Sequence, residues 1–248
     1  MFIISGKNAI VTGASRGLGA ALAMGFAKVG VNLALVSRSV PTDLIKELQA
    51  FDIKVKTYSF DFNQPSRIPY LIEEIYYDFG TIDILVNNAG AQRRSDSVDF
   101  SEEDWDYVIN VNQTSVFLMC REVGRRMVES RQGKIINMAS LLSFQGGYRV
   151  PAYAASKGAV MQFSKSLANE WAKFNVNVNC IAPGYMLTEM NTALVNDPVR
   201  SEQILVRIPA GRWGNPEDLV GAALFLASSA SDYVNGVTLP VDGGWLGR

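Results

Sequence analysis

Thr12-Gly13-Ala14-Ser15-Arg16-Gly17-Leu18-Gly19 lies between a short apolar run, 9–12, and an Ala- and Leu-rich stretch, 18–29. The run has the length and composition of a buried strand, and the stretch that of a helix. Glycines at 13, 17 and 19 permit a tight turn, close approach of backbone to a ligand, and close packing of helix on strand. The helix start then offers unpaired N–H groups and the positive end of its dipole. A glycine turn in this context, after a strand and opening a helix, is a site for a pyrophosphate. Its expected contacts are Gly13, Ser15, Arg16, Gly17, Leu18 and Gly19.

Outward from this turn the same alternation continues. Strands are predicted at 31–36, 55–60, 82–86, 134–138, 176–181 and 237–241. Helices are predicted at 42–51, 66–79, 101–130, 153–174 and 217–227. Strands that are apolar throughout and separated by helices imply a parallel sheet covered on both faces. The fold class is therefore α/β, a single-domain, doubly wound parallel sheet of Rossmann type with helices on both faces. With no repeat, low-complexity tract or linker, residues 1–248 read as one dinucleotide-binding domain of this Rossmann type. Segment 183–212 has weak periodicity bounded by loop signals and follows the sixth strand. Ligands of open α/β sheets lie beyond the carboxyl ends of the strands, so this segment is expected to be a substrate lid.

Composition narrows the chemistry. The 248 residues are 48% hydrophobic and 19% charged, with a formal net charge of −1, which gives no electrostatic case for a nucleic-acid or membrane partner. There is no histidine, which removes His-based metal sites and triads, and no metal is expected. Cys120 and Cys180 stand far apart and read as buried small hydrophobes. Residues 1–7 lack the pattern of a secretory leader, and no run of about 18 apolar residues exists. A reduced, cytoplasmic location is the expectation. Acid–base chemistry is left to Tyr, Lys, Asp, Glu or Cys.

Tyr153-Ala-Ala-Ser-Lys157 begins a predicted helix. Residues four apart share a helix face, and an ammonium beside a phenol is expected to lower its pKa toward neutrality. Ser140 ends the fifth strand, where a hydroxyl can hold a substrate oxygen whose charge changes.

These motifs together resemble the short-chain dehydrogenase/reductase family. The glycine turn has its G-x-x-x-G-x-G spacing, and Asn87-Asn88-Ala89-Gly90 resembles its second signature. Pro183-Gly184, with Thr188 beyond, resembles its nicotinamide-side loop. The resemblance implies cofactor contacts at Asp61, Asn88, Ala89, Gly90, Tyr153, Lys157, Pro183, Gly184, Met186 and Thr188. It also implies that Lys157 bonds the nicotinamide ribose and that Asn112 anchors a water beside Lys157. The implied reaction is hydride transfer to or from a carbonyl carbon, with Tyr153 moving the proton. If Asn112 is buried in the site, the sequon Asn112-Gln113-Thr114 is not a glycosylation site.

An acidic residue at the end of the second strand would bond a ribose 2′-OH. Ser37-Arg38 stands there instead, with Arg16 near. Guanidinium groups and a hydroxyl suit a 2′-phosphate, so NADP(H) is preferred and NAD(H) is the alternative. Stretches 140–153, 169–172, 207–214, 231–236 and 241–248 resemble the family's 2-deoxy-D-gluconate 3-dehydrogenases, also called 2-dehydro-3-deoxy-D-gluconate 5-dehydrogenases. That implies a sugar acid as substrate, with Gln92, Arg93, Gln145 and Arg149 as candidate contacts. An NADPH-dependent reductase of another carbonyl (a polyol or sugar, a small ketone or a 3-oxoacyl thioester) is the alternative reading. A cofactor-sensing protein without catalysis is the distant one. Family membership further implies a homotetramer or homodimer.

Overall fold

The computed structural model describes residues 2–248; Met1, first residue of the stretch read for a leader, lies outside them. In chain order the elements are β1 (Asn8–Thr12), α1 (Gly17–Lys28), β2 (Asn32–Ser37), α2 (Thr42–Gln49), β3 (Val55–Ser59), α3 (Ile68–Phe79), β4 (Ile84–Asn87), α4 (Glu102–Ile109) and α5 (Ser115–Ser130). There follow β5 (Gly133–Met138), α6 (Pro151–Trp171), β6 (Val176–Pro183), α7 (Thr192–Val195), α8 (Pro198–Leu205), α9 (Val220–Ala227) and β7 (Thr238–Val241). The seven strands form one parallel sheet in the order β3-β2-β1-β4-β5-β6-β7.

Side chains alternate across the pleat. In β1, Ile10 faces a core shared with Ile72, Val116 and Val160 of α3, α5 and α6, while Ala9 and Val11 face one shared with Leu22, Phe26 and Leu226 of α1 and α9. Each fully buried Leu or Ile contributes about 1.5–3 kcal/mol of transfer free energy. Strand order reverses between β1 and β4, so the crevice forms where the loops after these strands separate.

Two elements differ from expectation. Stretch 101–130 is not one helix: a π-helical turn, Asn110–Thr114, separates α4 from α5 and carries Asn112. Segment 183–212 holds more regular structure than its pattern predicts. It comprises a 3₁₀ turn (Glu189–Asn191), α7 and α8. Beneath it Leu141, Ile204, Ile208, Trp213 and Trp245 make a small core of their own. No helix among the described residues is long and apolar enough to cross a membrane.

Candidate active site

The glycine turn is locked to the β4 loop. Thr12 Oγ1 accepts from the N–H groups of Asn88 and Ala89, both at 2.9 Å, and Asn88 Nδ2 donates to the carbonyls of Thr12 (2.9 Å) and Gly13 (3.2 Å). Gly13 has φ +65°, and a Cβ there would lie 2.8 Å from Ala89 Cα; a Cβ on Gly19 would lie 2.2 Å from the Gly13 carbonyl oxygen. Neither position has room for a side chain. Asn88 thus acts on the turn's shape, and Thr12, absent from the residues singled out in the sequence, shares that work. No acidic residue occupies the first turn of α1, and no side chain caps it, so its N-terminus is free for an anion.

At the end of β2, Ser37 is buried and its hydroxyl has no partner. Arg38 beside it is exposed and makes no ion pair among the described residues. An orphaned hydroxyl and an unpaired cation, beside a turn with no room for Cβ atoms, fit a phosphate-bearing dinucleotide. Arg16 is held elsewhere, in an ion pair with Glu189. The Asp61 carboxylate accepts from the N–H of Asn63 at 3.0 Å. Met186 turns its side chain away: it is buried in the core with α1 and α9, its sulfur against Gly214. Only its backbone is left for the cleft.

The four reacting-end residues come together through neighbours that bind their backbone. Pro151 opens α6 in the first turn, where its missing N–H costs nothing. Ser156 Oγ donates to the Tyr153 carbonyl (2.8 Å) and accepts from Asn112 Nδ2 (3.1 Å). Asn112 is fully buried; its amide also donates to the Ala91 carbonyl (2.9 Å) and accepts from the Ala91 N–H (2.7 Å). These bonds hold the π turn open, a feature common at functional sites, and engage every polar atom of the side chain. Ser143 Oγ donates to the Lys157 carbonyl (2.7 Å) and accepts from the Ser140 N–H (3.2 Å). Ser140 Oγ in turn accepts from the Leu142 N–H at 3.1 Å. Ser143 was not read from the sequence, because its role lies in joining β5 to α6.

The electrostatics correct one expectation. The sequence implies a Tyr153 phenol lowered by Lys157, but burial raises it above its ordinary value. The hydrogen bond to Ser140 and the Arg94 guanidinium oppose that rise, and Lys157 has no resolved part in it. The reason is geometric. Lys157 Nζ donates to the Met138 carbonyl at 2.6 Å and lies 5.8 Å from the Tyr153 ring centroid. Burial lowers Lys157 to about 8, with a smaller opposing effect from Cys180. Cys120, bonded to Asn87 and Asn137 in the core beneath, is pushed up to about 12 by burial. That leaves it protonated and unreactive.

Around the phenol the structure rearranges the substrate candidates. Arg93 turns away, its Nε 3.0 Å from Asp104 and its guanidinium 4.4 Å above the Tyr107 ring. Arg94 instead donates to Gln92 Oε1 (3.2 Å); burial lowers its guanidinium, which lies in electrostatic range of Tyr185, Arg200, Arg149 and Tyr153. Arg149 pairs with Asp96 at 3.0 Å, and its carbonyl accepts from the Ser95 N–H at 3.2 Å, so it fastens the Arg94 loop. Gln145 accepts from Trp245 Nε1 at 3.3 Å, which spends its carbonyl oxygen on the C-terminal turn. Trp245 packs within the chain, 4.7 Å from the Tyr185 ring and beneath Arg207 at 4.0 Å.

Such a site holds a proton donor, a hydroxyl beside it and a cation within electrostatic reach, at the edge of a cleft suited to a dinucleotide. Comparison with known proteins agrees. Residues 7–198 match the profile of the short chain dehydrogenases. The 2-dehydro-3-deoxy-D-gluconate 5-dehydrogenase of Escherichia coli (strain K12) is 51% identical over 248 residues, covering 100% of this chain and 98% of that one. A protein of Agrobacterium tumefaciens assigned as a 2-deoxy-D-gluconate 3-dehydrogenase, solved with bound NADP, superposes with a TM-score of 0.94 at 46% identity, over 100% and 99% of the two chains. The gluconate 5-dehydrogenase of Burkholderia cenocepacia J2315, in complex with NADP and tartrate, does so with a TM-score of 0.91 at 39% identity, over 100% and 98%. The profile match and the end-to-end identity agree with the glycine turn and the Tyr153–Lys157 pair: the chain belongs to the short-chain dehydrogenase/reductase family.

Proposed function

We propose that the chain is an oxidoreductase, preferring NADP(H) and able to take NAD(H), that interconverts a secondary alcohol and a ketone on a sugar acid. The substrate is of the 2-dehydro-3-deoxy-D-gluconate or 2-deoxy-D-gluconate type. The observation that carries this reading is the convergence of Tyr153 and Lys157, Nζ 5.8 Å from the phenol ring centroid, with Ser140 and Arg94 near enough to oppose the rise of the phenol. A proton donor, an oxygen-binding hydroxyl and a carboxylate-binding guanidinium are what a keto acid of this class requires. The similarity to sugar-acid dehydrogenases over the whole chain supports it.

The nicotinamide, when bound, supplies or accepts the hydride. Backbone N–H groups of the turn at Ser15, Gly17, Leu18 and Gly19 would hold the pyrophosphate, Gly13, whose N–H is spent on the Val36 carbonyl at 2.8 Å, would let it approach, and Ser37 and Arg38 would take the 2′-phosphate. Asp61, the loop Asn88–Ala89–Gly90 and the loop Pro183–Gly184–Thr188 border the rest of the cofactor. Tyr153, kept protonated by burial, gives its proton to the carbonyl oxygen in reduction, and in oxidation its phenolate form takes the proton from the hydroxyl. Ser140 shares that oxygen. Lys157, on the Met138 carbonyl at 2.6 Å, would hold the ribose hydroxyls. Asn112 keeps the Ala91 loop and the first turns of α6 in register. Segment 183–212 serves as the lid.

We read the whole chain, 1–248, as one NAD(P)-binding catalytic domain, a reading supported by strands from Asn8 to Val241 sharing one sheet. We also place it in the cytoplasm, supported by two free buried cysteines, and as a homotetramer or homodimer. The aromatic pair Phe117–Phe163, with Phe117 exposed on α5, gives the association an apolar surface. The test is an initial-rate screen of these sugar acids, neutral polyols and acetoacetyl thioesters, with NADP(H) and NAD(H) in parallel. Sugar acids are expected to give the highest kcat/KM. A higher value on the thioester would overturn the substrate reading.

A further inference from the structure

Arg16 and Glu189 form an ion pair, Nη1 to Oε2 at 2.5 Å, that joins the glycine turn to the base of the lid. Arg16 immediately precedes α1, and Glu189 opens the 3₁₀ turn near the start of the lid. The neighbouring residues also meet: a Cβ on Gly17 would lie 3.6 Å from Thr188 Cγ2. Of the cations at the phosphate end of the cleft, Arg38 is free of ion pairs among the described residues and Arg16 is already neutralised.

We propose that Glu189 is a selectivity residue acting through Arg16: its carboxylate occupies the guanidinium that a ribose 2′-phosphate requires, and so handicaps NADP(H) relative to NAD(H). This rests on the reading of Arg16, Ser37 and Arg38 as a phosphate site. A dianion arriving at Ser37 and Arg38 must share Arg16 with a like charge or displace it. Both side chains are about two-thirds exposed, 66% and 67%, so the pair is weak and exchangeable. Displacement also unties the lid from the glycine turn, whereas a cofactor without the 2′-phosphate leaves the tie in place. Glu189 therefore links the identity of the cofactor to the freedom of the lid.

The test is equilibrium binding of NADPH, NADH and adenosine 2′,5′-bisphosphate, a probe with no nicotinamide. The proteins are the unmodified chain, Glu189→Gln, Arg16→Ala and the double variant. Glu189→Gln is expected to tighten NADPH and the bisphosphate about two- to five-fold, leaving NADH within the error of the titration. In the Arg16→Ala background the same change is expected to have no effect, because the interaction has lost its partner. NADPH affinity that is unchanged or weaker in Glu189→Gln overturns the proposal. So does an equal gain for NADH, or a gain that persists without Arg16. If Arg16→Ala weakens NADPH while Glu189→Gln does nothing, this inference alone fails. If Arg16→Ala leaves NADPH binding intact, the phosphate-site reading fails with it.

Discussion

Replacing Lys157 by Met should change the pH dependence of stability in a way the structure fixes in sign and size. Burial lowers the ammonium from its ordinary 10.5 to about 8. Between those values the unfolded chain binds a proton that the folded chain does not. The lysine's cost is therefore full below pH 8 and disappears as pH rises toward 10.5. Its full size is roughly 3 kcal/mol at about 1.36 kcal/mol per pKa unit, of which about 2 kcal/mol is recovered between pH 7 and 9.5. The bond to the Met138 carbonyl is also lost in Lys157→Met. That loss is the same at every pH in this window and cancels in the slope. Tyr153, raised by burial, stays protonated throughout and does not add to it. The assay is thermal unfolding of the cofactor-free protein and the variant, in matched buffers from pH 7 to 9.5. The melting temperature of the unmodified chain should rise relative to the variant by about 4–8 °C, at about 2–4 °C per kcal/mol for a chain of this size. A difference that stays flat across the window, or falls, would refute the buried, charged lysine.

Other perturbations follow from single contacts. Arg94→Ala should raise KM for sugar acids by about ten-fold or more while leaving neutral polyols nearly unchanged, as a lost charge-assisted bond requires; steady-state kinetics on both classes checks it. Gly19→Ala places a Cβ 2.2 Å from the Gly13 carbonyl oxygen. Thermal unfolding should show stability falling by about 1–3 kcal/mol, the usual cost of overpacking, with calorimetric titration showing weaker dinucleotide binding. Ser143→Ala removes the bridge between Ser140 and the Lys157 backbone, and kcat should fall with KM for cofactor little changed.

What the sequence made legible was what local chemistry decides. Glycines at 13 and 19 are needed because a Cβ has nowhere to go, and that need shows in the residue type itself. Tyr153 and Lys157 share a face because the helix period brings them together. Long-range bonding hid the rest. The π turn at Asn112 is held open by Ala91 and Ser156, neither of them adjacent in sequence. Arg93 and Arg94 are identical neighbours in a loop, and only Asp104, Tyr107 and Gln92 decide which one is held away and which is left in electrostatic range of Tyr153. Gln145 meets a tryptophan 100 residues away. The Met138 carbonyl that holds Lys157 is backbone, which leaves no mark in the sequence, and so the expected lowering of Tyr153 did not foresee where the ammonium points.

The most direct test of the central claim compares the unmodified chain with Tyr153→Phe on a sugar acid, measuring both turnover and cofactor affinity. The account predicts that kcat falls by about 10²–10⁴, the usual share of a positioned proton donor, while NADPH binds the variant as it binds the parent. Turnover of the variant within a few-fold of the parent would contradict it.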